Sequence, residues 1–394
     1  MFISCSAEKR ILAIPNQGSA VVAGYWTPEL GRVDGPIRLQ WEEGKVSSLG
    51  PLTASMECLE ASSPDLPWHS YILMPGFIDV HVHLALDSID FFQCLSNWQD
   101  PAQIEMSIQD ALRHYLELGI VAIRDGGDLP GFAWAAKQSL ESQEWIGPKV
   151  ISVREAVNRQ GMYGRFLGRG FQNVQDWQQL KEEFFRQGAD QLKVVVTGII
   201  SFNEYGQVGP VQWSVGELRN LVDSAHERGI LVMAHASGEE GISRAIAAGV
   251  DSIEHGYYMT SEHLNHLKER GMAWVPTLAP IGNLLKYPSD RYSPHKMHTL
   301  NRILNNHLKR IKEAYDMGVR LGIGTDAGAY AVPHGDSFLD EMSWMGDAEI
   351  PKNAIYCLAT QENARICRLP EYGKLEVGTP LSCLQMQFPK CLGI

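Results

Sequence analysis

The amino-acid sequence predicts an α/β fold whose larger part is a TIM (β/α)8 barrel, with a small β module in front of it. From Tyr71 onward, short β-branched runs alternate with amphipathic segments of helical length, which is the pattern of parallel β/α units. The alternation yields eight strands, each followed by a helix, as in a TIM barrel. Before that point the chain contains only short β segments broken by glycine and proline.

The first β segments are predicted at Ala20–Ala23, Ile37–Trp41 and Lys45–Ser48, and a polar stretch from Glu60 to Pro67 follows them. The eight barrel strands are short runs rich in β-branched and other apolar residues. They are predicted at Phe77–Val82, Ile120–Arg124, Val150–Val153, Gln191–Val196, Ile230–Ala234, Ser252–Ile253 with its flanking residues, Ala273–Pro276 and Leu321–Thr325.

The segments between these strands have the apolar spacing of helices. Ser214 with Glu217 predicts a capping box at the start of one helix. Ser261 and Gly271 predict the start and the end of another. The helices are predicted at about Ala102–Leu118, Phe132–Trp145, Val174–Gln187, Val215–Arg228, Gly238–Ala248, Ser261–Arg270, His298–Met317 and Ser337–Arg368.

Composition and charge argue against nucleic-acid and membrane partners. Among 394 residues, 46 acidic side chains outnumber 34 basic ones, and the basic residues are scattered rather than clustered. No apolar stretch approaches the ~18 residues that cross a bilayer, and the first residues lack the apolar region of a secretion signal. The seven cysteines form no Cys-x-x-Cys pair, which favours reduced thiols. We expect a cytoplasmic protein that acts on a small-molecule substrate, and the sequence is compatible with a homo-oligomer.

Four of the thirteen histidines stand at the ends of predicted barrel strands. His81 and His83 alternate along strand one, so both side chains point toward the barrel interior. His235 and His255 stand at the ends of strands five and six. These ends form the active face of a TIM barrel, and imidazoles that converge there predict a metal site. For the His-x-His pair alone, two histidines that fill polar core space remain the alternative.

Two charged residues occupy the same kind of position. Lys193 lies inside an apolar strand, where an unpaired ammonium is costly to bury, and Asp326 ends strand eight. A neutral buried amine can add carbon dioxide and become a carbamate that bridges two metals. A carboxylate such as Asp326 can bind one metal and accept a proton from the water that the metals share. A lysine paired with a neighbouring carboxylate remains the alternative for Lys193.

The motifs that carry these residues resemble the metal-dependent amidohydrolase superfamily, and most closely its prolidase-like and imidazolonepropionase-like branch. They are PGFIDVHVHL, DQLKVVVTG, LVMAHAS, DSIEHG and GIGTDAG, on strands one, four, five, six and eight. The resemblance implies a barrel at residues 73–368. It also implies a β-sandwich built from both chain ends, residues 1–72 and about 369–394. Because the C-terminal segment departs from the superfamily pattern, the sequence leaves open whether the sandwich is complete.

The resemblance also implies a ligand set for two divalent metal ions, with zinc expected. His81, His83 and Asp326 would bind the more buried ion. His235 and His255 would bind the more exposed ion, and Lys193, as a carbamate formed from CO2, would bridge the two. A hydroxide between the metals would be the nucleophile, and Asp326 would be the catalytic proton carrier.

Substrate contacts are harder to predict because loops rather than strands supply them. The branch commonly has a Gly-His pair after strand three, and this chain has none there. Arg124 and Asp125, at the end of strand two, are expected to form an ion pair beneath the active face. The candidates for substrate binding, each with packing or a solvated surface position as its alternative, are His334, Tyr257, Arg159 and Arg165.

The leading hypothesis is a hydrolase that cleaves an amide carbon–nitrogen bond in a peptide-like, N-acyl amino acid or cyclic amide substrate. A mononuclear aminohydrolase that deaminates a heterocycle is the second enzyme hypothesis, and Lys193 argues against it. A metal-free, non-catalytic barrel is the third hypothesis. The presence of a matching residue at all six ligand positions argues against that one.

Overall fold

The computed structural model describes residues 2–52 and 68–389. Within them, the strands are β1 (Phe2–Cys5), β2 (Arg10–Ala13), β3 (Gly18–Thr27), β4 (Gly31–Glu42), β5 (Lys45–Pro51), β6 (Ile72–Pro75), β7 (Phe77–Val82), β8 (Ile120–Asp125), β9 (Lys149–Ser152), β10 (Asn158–Arg159), β11 (Gly170–Phe171), β12 (Gln191–Val195), β13 (Leu231–Ala236), β14 (Ser252–His255), β15 (Ala273–Val275), β16 (Arg320–Leu321) and β17 (Leu384–Gln387). The polar stretch from Glu60 to Pro67 lies outside the described residues.

The helices of the same part of the chain are α1 (Phe91–Asn97), α2 (Pro101–Glu117), α3 (Phe132–Glu141), α4 (Val174–Arg186), α5 (Val215–His226), α6 (Glu239–Ala248), α7 (Ser261–Arg270), α8 (Ala279–Lys286), α9 (Pro294–Met317), α10 (Asp336–Asp347), α11 (Lys352–Cys357) and α12 (Asn363–Ile366). In the described ranges, no helix is long and apolar enough to cross a membrane. The sequence did not predict α1 or α8.

The strands assigned to the barrel form two parallel sheets in the described residues, β7-β8-β9 and β12-β13-β14-β15-β16. Hydrogen bonds connect the two sheets on both sides. On one side Asp326 N donates to His81 O at 2.7 Å, and on the other Val157 N donates to Lys193 O at 2.8 Å. This is a TIM-barrel-type arrangement of strands and helices, and it gathers the carboxyl ends of the strands on one face.

The helix ends at which the sequence contains capping signals follow those signals. The capping box is confirmed, since the side chains of Ser214 and Glu217 each accept a hydrogen bond from the other's backbone N–H. Gly271 adopts a left-handed conformation and ends α7 as predicted. The predicted start of α7 at Ser261 is also confirmed, and the hydroxyl of Thr260, the residue before it, caps the first turn.

Strand eight is shorter than predicted. Only Arg320–Leu321 pairs as a strand, instead of Leu321–Thr325. At Ile323 the backbone N–H bonds to a side chain rather than to a neighbouring strand, since it donates to Asn363 Oδ1 at 2.9 Å. Asn363 also donates to the carbonyl of Ile323 at 2.8 Å. One amide side chain therefore replaces part of the strand pairing below Asp326.

The final helical region, predicted as Ser337–Arg368, is divided into several segments. α10 ends at Asp347, and Pro351 stands at the N-cap of α11. Proline has no backbone N–H and cannot continue a helix from the preceding turn, which explains the break. A π-helical segment at Leu358–Glu362 then separates α11 from α12.

The β module contains strands from both ends of the sequence. Within the described residues it is a seven-stranded sheet in the order β2-β1-β17-β6-β3-β4-β5. β17 pairs parallel with β1 and antiparallel with β6. The sequence did not predict β1 or β2. Bulges in the β3-β4 and β4-β5 pairings bend the sheet, and its buried side chains, including Ile3, Leu39 and Leu384, form a separate core.

Candidate metal centre

Three ligand atoms converge where β7 and the segment after β16 end. His81 and His83 are buried, and Asp326 Oδ1 lies 3.5 Å from Nε2 of each histidine. One ligand atom from each of these three residues lies within 4.8 Å of the others, so they can hold a metal ion. Imidazole nitrogens with a carboxylate oxygen are a donor set that zinc and related divalent ions bind.

β12 brings Lys193 to the same point. Its Nζ lies 3.3 Å from Nε2 of His81 and 3.1 Å from Nε2 of His83, and the residue is 1% exposed. Burial lowers the pKa of Lys193 from 10.5 to about 8, although the charges of Asp326 and Glu254 act in the opposite direction. A substantial share of the side chains is therefore neutral in mildly alkaline solution. The neutral amine is the form that reacts with carbon dioxide.

β13 and β14 contribute a second pair of histidines. The ring centroids of His235 and His255 are 4.4 Å apart, and the ring of His255 lies 5.0 Å from that of His81. Nδ1 of His255 is 2.7 Å from the Thr277 hydroxyl. Nε2 of His235 is buried and has no hydrogen-bond partner among the described residues. Because an orphaned buried nitrogen is unfavourable, these residues fit a bound metal ion.

The four imidazoles are neutral at physiological pH. Burial, as the largest cause, lowers the pKa of His235 from 6.5 to about 3. Burial likewise lowers the pKa values of the other three histidines, with the charge of Lys193 acting in the same direction. These three are His81, His83 and His255. Neutral imidazole is the form that binds metals.

Unusual backbone conformations accompany the convergence of the strand ends. His255, Thr277 and Asp326, which meet at this centre, have left-handed φ angles of 69°, 49° and 59°. Residues other than glycine seldom adopt this conformation, and it is most strained for a β-branched residue such as threonine. A Cβ on Gly126, which follows β8, would lie 2.6 Å from Nζ of Lys193, so this position requires glycine.

A buried ion pair contacts His81 at the Nδ1 side of its ring. Its Nδ1 lies 2.7 Å from Oε2 of Glu254, whose carboxylate accepts two hydrogen bonds from Arg124 at 2.9 and 3.0 Å. A carboxylate in this position keeps the imidazole proton on Nδ1 and leaves Nε2 free to bind a metal. The predicted pairing of Arg124 with Asp125 is wrong. Successive strand residues point in opposite directions, and Asp125 accepts from two backbone N–H groups instead.

Glu254→Gln is expected to weaken metal binding about 10- to 100-fold, the range found when groups that orient metal ligands are replaced. Glutamine preserves the size of the side chain but removes the charge that balances Arg124 and the strong acceptor for His81. Elemental analysis after dialysis against graded chelator concentrations measures the change. Glu117→Gln, which removes an exposed pair with Arg113, is the control and should leave metal content unchanged. Equal metal retention by the two variants would contradict the positioning role.

A second buried carboxylate fixes the segment that carries Asp326. Asp79 accepts hydrogen bonds from Oγ1 and N of Thr325, at 2.7 and 3.0 Å, and from N of His81 at 3.2 Å. It thereby joins β7 to the end of strand eight. Burial raises the pKa of Asp326 from 3.8 to about 7, against the lowering effect of Lys193. A carboxylate with a pKa near neutrality can both accept and release a proton at physiological pH.

A cavity of about 190 Å³ opens onto this cluster. Five of the residues discussed above line it, namely His83, Lys193, His235, His255 and Asp326. Apart from Ser237, the other described lining residues are apolar or aromatic: Tyr163, Leu167, Ile199, Ile200, Phe202, Tyr257, Pro280, Ile281 and Ala329. The cavity therefore accepts an apolar group directly beside the cluster.

Tyr257 is one of the predicted substrate contacts, and it lines this cavity. Its ring stacks on His255 with centroids 5.9 Å apart, and its hydroxyl donates to the carbonyl of Thr277 at 3.1 Å. The hydroxyl of Tyr257 is therefore engaged in a hydrogen bond within the protein, and the face of its ring contributes apolar surface to the cavity wall.

The two predicted arginine contacts are not part of the described cavity wall. The guanidinium of Arg159 donates to the carbonyls of Gln172 and Gln212, at 2.6 and 2.9 Å, and pairs with Glu217 at 2.7 Å. These contacts of the guanidinium fix the loop after β9 against α5. Arg165 is exposed in the same loop.

His334 is also absent from the described cavity wall. Its Nε2 donates to the carbonyl of Leu86 at 2.9 Å, and its Nδ1 lies 3.0 Å from the hydroxyl of Tyr115. Both ring nitrogens are satisfied within the protein, so the residue joins the loop after strand eight to the loop after strand one.

Sequence reasoning missed the residues that support the cluster and most of those that line the cavity. Glu254 gave a signal, because it is a carboxylate inside a predicted strand, directly before His255. Thr277 gave none, since a threonine after a strand is common. The apolar lining around Ile199 and Ile281 comes from the loop after β12 and from α8, which are far apart in sequence, and only the fold brings them together.

Known proteins share the sequence pattern and the fold of this chain. Residues 72–380 match the amidohydrolase family. An ochratoxinase of Aspergillus niger is 26% identical over 282 residues, which cover 65% of this chain and 58% of the relative, so less than two thirds of the relative is matched. A crystal structure of a Xaa-Pro dipeptidase with bound methionine in the active site covers 92% of both chains at 22% identity, with a TM-score of 0.76. The crystal structure of the A. niger ochratoxinase matches with a TM-score of 0.76 at 20% identity, and the match covers 92% of this chain and 88% of that chain.

Proposed function

The chain belongs to the amidohydrolase family, and on this premise we propose that it is a metal-dependent hydrolase that cleaves an amide carbon–nitrogen bond. One observation carries the proposal. Four neutral imidazoles, a buried lysine and a carboxylate with a pKa near neutrality converge beside an apolar cavity at the strand ends. Packing alone has no need of this combination, whereas metal-assisted hydrolysis uses each member.

We propose two divalent ions, with zinc expected. His81, His83 and Asp326 would hold one ion, and His235 and His255 the other. When bound, the ions would supply water activated at neutral pH and a Lewis acid for the substrate carbonyl.

Lys193 would bridge the two ions as a carbamate. The neutral Nζ would form a bond to the carbon of CO2 as one C–O π bond opens, and it would lose one proton to water, which leaves a carbamate whose single negative charge is shared by two oxygens that can act as ligands. Counted from the ammonium, which loses one proton before the reaction and one during it, the charge changes from positive to negative at a point where Nζ lies 3.1 Å from a histidine ligand atom. This change of sign favours cation binding.

The protein side chains supply orientation and proton transfer. Glu254 holds the Nδ1 proton of His81, and Asp79 fixes the segment of Asp326. Oδ1 of Asp326 would take a proton from the attacking water and give it to the leaving nitrogen, because it is the carboxylate oxygen that lies beside the histidine cluster. The apolar cavity wall excludes bulk water from the substrate bond.

We propose an amide with an uncharged, apolar group next to the scissile bond as the substrate. Of the described residues that line the cavity, Lys193 alone has a cationic side chain, and the proposed carbamate would remove that charge. Apart from the proposed metal ions, the described wall thus offers no cationic partner for a substrate carboxylate, whereas Ile199, Phe202 and Ile281 suit an aliphatic or aromatic group. The reaction class follows the structural relative that is a Xaa-Pro dipeptidase.

We also propose that the two parallel sheets close into one (β/α)8 barrel at residues 73–368, and that residues 1–72 and 369–394 form one composite β-sandwich. The hydrogen bonds at both sheet junctions support the first part. The position of β17 between β1 and β6 supports the second.

Metal content is the first test. The purified protein is expected to contain about two divalent ions per chain, and chelation should abolish hydrolysis until metal is restored. Elemental analysis also separates the alternatives, since a mononuclear deaminase would contain about one ion and a non-catalytic barrel none. Full hydrolysis by metal-free protein would contradict the proposed function.

Substrate preference is the second test. In a panel of N-acyl amino acids, Xaa-Pro dipeptides, small cyclic amides, aminopyrimidines and phosphotriesters, we expect cleavage among the amides. Among these, apolar side groups should be preferred. Ile199→Asp should reduce kcat/KM for an apolar amide on the order of tenfold or more, because it places a charge in the cavity wall. Leu339→Asp, at an exposed position on α10, is the matched control. Activity confined to aminopyrimidines or phosphotriesters would refute the amide assignment.

A further inference from the structure

A second cavity lies at the opposite ends of the barrel strands. Its volume is about 470 Å³, and its wall includes the amino-terminal ends of β12 to β16 and the end of α12. It is distinct from the metal centre, which lies at the carboxyl ends. Five arginines are among the described residues that line it: Arg124, Arg270, Arg320, Arg365 and Arg368.

Three of these arginines share two carboxylates, so their positive charges are balanced only in part. Arg124 is buried and pairs with Glu254 at 2.9 Å. Arg320 and Arg365 share one carboxylate, that of Glu362, at 2.7 and 3.0 Å. Two guanidinium groups on one carboxylate leave an excess positive charge at the rim.

The other two arginines are held by uncharged groups. Arg270 donates to the carbonyl of Ile246 at 2.9 Å, and Arg368 donates to the carbonyl of Gly229 at 2.7 Å. The wall also includes Asp251. Five arginines therefore face three carboxylates in the described surroundings, which leaves an excess of two positive charges.

This excess of positive charge at the cavity contrasts with the protein as a whole, which has a formal net charge of −12. A negative molecule repels anions unless positive charge is concentrated in a concave site, where the field is focused. Guanidinium groups also present paired N–H donors that match the oxygens of phosphate and carboxylate groups. Arg270, Arg365 and Arg368 are exposed and retain N–H groups that no carbonyl or carboxylate contact described above occupies.

We propose that this cavity binds a small oxyanion with two or more negative charges, of which inorganic phosphate is the simplest. The rim arginines would bind it, with Arg270 and Arg368 supplying the charge that no carboxylate balances. Arg124 forms the inner wall and already donates to Gln191, Ser252 and Glu254, so it contributes charge rather than a direct contact.

The test is calorimetric titration of the metal-loaded protein with inorganic phosphate at constant ionic strength. We expect saturable binding of about one phosphate per chain, and at least a tenfold loss of affinity in the Arg270→Gln/Arg368→Gln double variant. Both side chains are exposed, so folding should be preserved, and each single variant provides an intermediate case. The matched control is Arg113→Gln, an exposed arginine on α2, which should bind as the unmodified protein does.

Three results would overturn the proposal. One is the absence of saturable binding. Another is unchanged affinity in the double variant. The third is binding that survives in the double variant but is lost in Lys193→Ala, which would place the ion at the metal centre. Because no substrate is needed, the outcome is independent of the proposed hydrolysis.

Discussion

Lys193→Ala is expected to lose bound metal together with hydrolysis, with kcat/KM reduced on the order of 10³-fold or more. The physical reason is that alanine provides no bridging anion, and two cations held side by side without one repel each other. Metal-assisted hydrolysis derives several kcal/mol of transition-state stabilisation from the ions, which corresponds to this loss in rate. Elemental analysis and steady-state kinetics measure both effects, and a short carboxylic acid added to the variant should restore part of each.

The matched control for this variant is Lys137→Ala. Lys137 is another buried lysine, on α3, and it pairs with Asp190 at 2.7 Å, away from the strand ends that hold the metal centre. Its removal should lower stability and leave metal content unchanged. A crystal structure that shows both metals beside an unmodified Lys193 ammonium would refute the carbamate, and normal hydrolysis by Lys193→Ala would refute the bridge.

Asp326→Asn is expected to retain much of its metal and lose about 10²- to 10⁴-fold in kcat, the range that general acid–base catalysis contributes. Asparagine keeps the size of the side chain and one oxygen that can bind a cation, but it cannot take up a proton. Metal content and kcat measured on the same preparation separate binding from proton transfer.

Asp128→Asn is the control for this second variant. Asp128 is also buried, and burial raises its pKa as well, but it accepts hydrogen bonds from backbone N–H groups at the start of α3. Its replacement should change kcat little. If Asp326→Asn turned over substrate at nearly the normal rate with both metals bound, the proton carrier would have to be another group.

The barrel strands and the residues at their ends were predictable because their signals are local. His81 and His83 alternate with apolar residues, so strand geometry alone places both on one side, and Lys193 is conspicuous as a charge within an apolar run. Hydrophobic periodicity also located most helices. It could not locate the end of strand eight, where the amide of Asn363, 40 positions from Ile323, replaces strand hydrogen bonds.

The residues that support the cluster and line the cavity were not predictable, because they meet through contacts between distant parts of the sequence. Arg124 and Glu254 are 130 positions apart, and no local pattern indicates that they meet behind His81. Arg159 looked available as a loop arginine, yet its guanidinium is held by groups 13, 53 and 58 positions away. Long-range side-chain pairing of this kind is decided by the packed fold.

The position of β17 has a consequence for how the chain is made. Ser6, directly after β1, bonds to Gln385 of β17, 379 positions later. At ribosomal rates of about 5–20 residues per second, roughly 20 to 80 seconds separate the synthesis of these two partners. During that interval the edges of β1 and β6 are without the strand that later lies between them. Exposed edges recruit other chains, so we expect the nascent protein to depend on chaperones until β17 is released from the ribosome.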